Sequence, residues 1–146
     1  MIRKIKSFYK LLSPNYQTVH LEYKVEVQAR YGHGKPPHKL LNSIIDKNRD
    51  IYRDHLNTFL EFSENIHSIK NAKNESDPNK PGWNNGFLPG LDIVGIYGII
   101  AKYKPSHYIE IGSGNSTKVA RKSINENDLH TKITSIDPFP SIIICS

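Results

Sequence analysis

The stretch "HYIEIGSGNST", residues 107–117, puts an apolar run, a carboxylate and two glycines into a short span and follows them with small hydroxyl residues. "YIEI" reads as a buried strand and "GSGN" as a turn. Ser116 or Asn115 then caps a helix over Thr117 to Ile124. A polar loop, "NENDLHT", leads to a second strand, "KITSI", which "DPFP" stops. The fold class is α/β: a strand, helix, strand unit whose glycine loop lies at the carboxyl end of the first strand, where open α/β sheets bind ligands.

The residue types in the loop assign physical roles. Gly112 permits the tight turn, and Gly114, lacking a Cβ, lets a ligand approach the backbone closely. Asp137 ends the second strand roughly 20 residues further on, where a carboxylate can accept hydrogen bonds from both hydroxyls of a ribose. To this point the pattern suits a nicotinamide dinucleotide or another adenosine cofactor. Two features separate them. A dinucleotide brings a pyrophosphate to the helix N-terminus, and Glu110, so close to the turn, opposes that charge and favours an ammonium or sulfonium. The dinucleotide pattern also wants glycine or alanine where this chain has Thr117.

An acid, then Gly-x-Gly, then an acid ending the second strand resembles the cofactor motif of class I S-adenosylmethionine-dependent methyltransferases. The longer stretch "NGFLPGLDIVGIYGIIAKYKPSHYIEIGSGNST", together with "TSIDPFP", is similar to a bacterial branch of that superfamily, and the likeness covers residues 82–140. The resemblance implies a Rossmann-like methyltransferase core with S-adenosyl-L-methionine as cofactor. Glu110, Gly112, Ser113 and Gly114 would line the methionine part, Asn115 and Ser116 would open the helix beside it, and Asp137 would hold the ribose. Asp92 and Tyr97, on the preceding helix, would approach the cofactor or the acceptor. Ser116 departs from the pattern, since many such enzymes carry a third glycine there. The resemblance also implies five further strands, so the core reads as incomplete, an N-terminal portion holding the first strand-helix-strand unit. Methyl transfer is an in-line displacement that needs alignment in a dry pocket, and no catalytic base follows from the sequence.

Upstream of this unit, Asp92 can cap a helix reaching Tyr103, which Pro105 ends. Gly95 and Gly98 share one of its faces, which predicts close packing against a strand. "NAKNESDPNKPG", residues 71–82, reads as a linker or exposed loop. Residues 38–70 carry helical periodicity, from Leu41 and Ile44 through Phe59 and Leu60, and predict one long helix. "LEYKVEVQARY", residues 21–31, alternates strictly and predicts a half-buried extended strand. Two regions follow from this reading. An N-terminal extended and helical region with its linker spans residues 1–80, and the Rossmann-like domain starts at 81 and runs to 146.

Composition limits the partners. The net charge is +6 with a pI near 9.4, and the mean hydropathy of -0.53 is that of a soluble globular protein. Arg3, Lys4, Lys6 and Lys10 hold much of the excess, beside Ile2, Ile5, Phe8 and Leu12 at helical spacing, which predicts a terminal helix docking its apolar stripe. Aromatic and basic residues do not interleave as single-strand binding requires, so no specific nucleic acid is expected. No stretch is long enough for a membrane span, and no signal peptide is evident, which predicts a cytoplasmic protein. The lone Cys145 excludes an internal disulfide, and the seven histidines show no metal-ligand spacing. His33 and His38 flank "KPP" and could meet an acceptor. The apolar tail "SIIICS" offers an edge for self-association. Beside the methyltransferase, whose acceptor the sequence leaves unidentified, stand a non-catalytic module acting through protein partners and, third, a dinucleotide oxidoreductase fragment.

Overall fold

The computed structural model describes residues 8–16, 22–25, 28–32 and 34–138. The chain divides into two compact units, Met1–Ile44 and Ile45–Ser146. In the first, residues 8–12 are helical, and Phe8 and Leu12 stay exposed instead of docking. Ile2, Arg3, Lys4, Ile5 and Lys6 lie outside the described residues. Of the predicted strand, residues 22–25 and 28–31 belong to no ladder, and the rest lies outside the described residues. Alternation alone does not make a strand; it needs a partner whose backbone completes the hydrogen bonds. Gly32 and Lys35 instead pair in an isolated bridge ahead of the two prolines. His38 packs edge-on against Tyr31, and its Nδ1 accepts the Leu41 N–H at 3.3 Å. His33 lies outside the described residues.

The expected long helix is three helices: α1 (Lys39–Asp46), α2 (Arg49–Leu60) and α3 (Ser63–His67). Asn48 (φ −106°, ψ 18°) and Phe62 (φ −101°, ψ 15°) leave helical geometry. Their N–H groups reach carbonyls only three residues back, Ile45 O and Phe59 O. Each break costs so little register that the apolar spacing continues through it. Residues 71–82 form a loop with pinned ends. Trp83 N–H donates to Lys70 O and Ala72 N–H to Trp83 O, at 2.9 and 2.8 Å, and a Cβ at Gly82 would stand 2.6 Å from Ala72 Cα.

Helix α4 (Gly90–Tyr103) follows Pro89, whose fixed φ suits a helix entry, and places Asp92 in its positive first turn. It ends on Lys104 in the left-handed conformation (φ 47°, ψ 54°), and Pro105 forbids continuation. Nearly all of α4 is apolar because it packs against both α2 and the next helix. Gly98 meets a helix and not the expected strand: a Cβ there would lie 2.1 Å from the Phe59 ring of α2, while Gly95 has open space.

Strand β1 (His107–Ile111), helix α5 (Asn115–Glu126) and strand β2 (Lys132–Ile136) complete a mixed α/β unit. β1 and β2 pair in parallel, with Tyr108 opposite Ile133 and Glu110 opposite Ser135. One core gathers Ile66, Ile93, Tyr97, Ala101 and Val119, and a second gathers Ile100, Ala120 and Ile124 under Tyr108 and Ile133. These helices cover one sheet face. On the other, Ile109, Ile111 and Ile136 are 67, 92 and 61% exposed. The "YIEI" strand is therefore half-buried and not buried, in contrast to parallel sheets generally, which are covered on both faces.

Candidate functional site

The loop between β1 and α5 begins where Gly112 turns the chain at φ 97°, a left-handed conformation that side-chain-bearing residues rarely adopt. Its N–H still extends the ladder, donating to Ile136 O at 2.9 Å. Ser113 follows, and donates both its N–H (2.7 Å) and its Oγ–H (3.1 Å) to Asp137 Oδ2. The carboxylate that ends β2 thus holds the loop that ends β1. Gly114 precedes α5 with φ −170°, an extended value, and no atom stands within 4 Å of the place a Cβ would occupy.

Glu110 sits at the inner face of the sheet and collects hydroxyl groups from both sides of the loop. Its Oε1 accepts from Ser135 Oγ at 2.6 Å and from Thr117 Oγ1. Its Oε2 accepts from Ser116 Oγ at 2.9 Å and from Tyr108 OH at 3.3 Å. A carboxylate has about four lone-pair positions, and four donors engage them here. Burial, then the negative charge and hydrogen bond of Glu110, push the Tyr108 hydroxyl up to about 12. Thr117 is fully buried, and its Oγ1 also accepts the Gly114 N–H at 2.9 Å. One hydroxyl therefore caps the helix and braces the acid, which explains a threonine where a dinucleotide pattern wants glycine.

The structure brings Glu110, Gly112, Ser113, Gly114, Ser116 and Asp137 together around one loop, with Asn115 as the first residue of α5. Sequence reasoning missed Thr117, Tyr108 and Ser135 as partners of the acid. Tyr108 and Glu110 alternate onto one face, which was visible in the sequence; Ser135 required the register between strands. Asp92 and Tyr97 stand elsewhere. Asp92 is exposed in the first turn of α4, and Tyr97 is fully buried with its hydroxyl given to Glu126 Oε2 at 2.8 Å.

That second polar cluster fastens α5 to α3 and α4. Glu126 also accepts from Asn65 Nδ2 at 3.2 Å and pairs with Lys122, while Ser123 Oγ donates to Tyr97 O at 2.8 Å. Burial acting alone would raise the Glu126 carboxyl, but hydrogen bonds from Lys122 and Tyr97, the Lys122 charge and Asn65 outweigh it and hold the group below its ordinary value. Burial, reinforced by Glu126, raises the Tyr97 hydroxyl above the usual tyrosine range. Among the described residues no group of three His, Cys, Asp or Glu side chains is placed to hold a metal ion, and no helix is long and apolar enough to cross a membrane. The "SIIICS" tail and Cys145 lie outside the described residues.

No protein-family model and no solved structure matches the chain. It is similar to an uncharacterised protein of Archaeoglobus fulgidus, 37% identical over 60 residues. The match covers 40% of this chain and 27% of that protein, so the chain spans about a quarter of the length of the relative it matches.

Proposed function

We propose that residues 90–138 are the cofactor-binding half-site of an S-adenosylmethionine-dependent methyltransferase with a Rossmann-like core. Gly114 carries this reading. No atom stands within 4 Å of the place a Gly114 side chain would occupy, at the head of α5 beside the loop. The backbone there is open to close approach by a ligand, which a side chain would obstruct. The acids agree. Asp137 stands at the end of β2 beside the loop, where ribose hydroxyls would lie in this reading, and the negative charge of Glu110 would favour a cationic methionine group. The same charge works against the pyrophosphate of a dinucleotide.

Methyl transfer itself asks the protein for alignment and exclusion of water. Within this chain, the Ser113–Asp137 contact and the Glu110 hydroxyl cluster fix the loop before a ligand arrives. The acceptor site and the adenine pocket belong to strands beyond β2 in this reading. A second reading, a non-catalytic module that acts through a protein partner, is favoured by the exposed apolar face at Ile109, Ile111 and Ile136.

Calorimetric titration with S-adenosylhomocysteine separates the two. Wild-type protein should bind, Asp137→Ala should lose the ribose contact, and Gly114→Ser should lose binding while keeping its thermal stability. A folded wild type that ignores the ligand, or a Gly114→Ser variant that binds normally, would overturn the methyltransferase reading.

A further inference from the structure

A separate cavity of about 460 Å³ lies between the pinned 71–82 loop and the face of α5 that carries Lys118, Arg121 and Lys122. Its lining shares no residue with the glycine loop. The volume lies in the range of small-molecule sites. Lys70, Lys80, Lys118 and Arg121 all line it, and among the described residues none of these cations forms an ion pair.

The acids in the lining are already engaged. Glu126 is paired with Lys122. Glu75 accepts the Asp77 N–H at 3.0 Å, and Asp77 accepts the Asn79 N–H at 2.9 Å, so both serve the turns of the loop. Their charges still count, and the lining keeps an excess of positive charge with them included. Arg121 supplies the second observation: it lines the cavity, and its buried Nη2 has no hydrogen-bond partner among the described residues. Buried donors are nearly always satisfied, so this guanidinium is under-partnered within the protein, and a small turn of its head toward the cavity would let an acceptor there engage it.

We infer that this cavity binds a small phosphate-bearing molecule, with Arg121 as its principal contact and Lys70, Lys80 and Lys118 as supporting cations. A phosphate dianion matches the charge excess better than a single carboxylate, and a guanidinium fork fits two phosphate oxygens at once. The rest of the ligand is small and meets a mixed wall, with Ser68, Asn79 and Asn125 on the polar side and Ile69 and Pro81 on the apolar side.

The test uses inorganic phosphate and glycerol 3-phosphate as probes, because neither carries the ribose or the methionine group that the proposed cofactor site would read. Calorimetry on the chain should detect binding of at least one probe; saturation by inorganic phosphate identifies the free ion, and binding by glycerol 3-phosphate alone identifies a phosphorylated metabolite. Arg121→Gln should weaken that binding by about tenfold, the loss expected for one charge-assisted contact. Lys118→Gln gives a second readout should the arginine variant fold poorly, with a loss of several-fold. S-adenosylhomocysteine affinity should not change in either variant, which keeps this test independent of the cofactor reading. Absence of binding by both probes, or unchanged affinity in both variants, overturns the inference. Salt-sensitive binding of a single-stranded oligonucleotide with neither small probe bound also overturns it, in favour of a nucleic-acid surface.

Discussion

Glu110 and Ser135 face each other across the parallel register of β1 and β2, and the serine hydroxyl donates to the glutamate carboxylate at 2.6 Å. The same carboxylate takes hydrogen bonds from Thr117 and Ser116, so one side chain ties the strand pair to the start of α5. Glu110→Ala leaves the buried Thr117 hydroxyl without its acceptor and should cost ~3 kcal/mol, whereas Ser135→Ala should cost ~1.5 kcal/mol. Urea denaturation measures both. An alanine at 110 that leaves the midpoint unchanged would show that the cluster contributes nothing to the fold.

The two glycines of α4 should answer substitution in opposite directions. Gly98→Ala drives a methyl group into the Phe59 ring and should destabilise by ~1–3 kcal/mol. Gly95→Ala meets open space and should stabilise by up to ~1 kcal/mol through helix propensity. Thermal melts of the pair would contradict the α2–α4 packing if both moved the same way.

Acid stability should depend on Glu126. Its carboxyl is held below the ordinary value of 4.5, so the folded state binds protons less readily than the unfolded chain. The resulting stabilisation is present above 4.5 and is lost as pH falls through the lowered folded value. Tyr97→Phe removes one donor to a partly exposed carboxylate and should cost ~1 kcal/mol at neutral pH. That difference should shrink on acidification. Denaturant unfolding over a pH series reads it, and a cost independent of pH would assign the effect to packing alone.

The glycine loop should loosen when Asp137 is replaced. Asp137→Ala removes the acceptor of the Ser113 N–H, and amide exchange at Ser113 should quicken by roughly tenfold, the equivalent of ~1.4 kcal/mol of local protection. Exchange followed by NMR gives the rate, with Lys132 N–H, bonded to Ser106 O, as an internal reference that should not change.

Much of the second unit was legible in the sequence because its signals are local. The glycine turn, the helix after it and the "KITSI" strand each carry their own cues, and Pro105 marks the end of α4. The acid cluster was only half legible. Tyr108, Glu110 and Thr117 lie close in the chain, but Ser135 joins them through strand register, which no local pattern encodes. The long helix failed for a related reason: Asn48 and Phe62 each introduce one tightened turn, and an apolar stripe passes across such a turn almost unchanged. In the alternating stretch at 21–31, the described residues 22–25 and 28–31 belong to no ladder, and alternation by itself does not supply one.

Glu110 and Gly114 bear on the fold in different ways. A carboxylate at 110 is held by its hydroxyl partners, so its presence by itself is no sign of a ligand. Around Gly114 the space is open, so if the proposed cofactor binds, the smaller residue is the one whose replacement reports it.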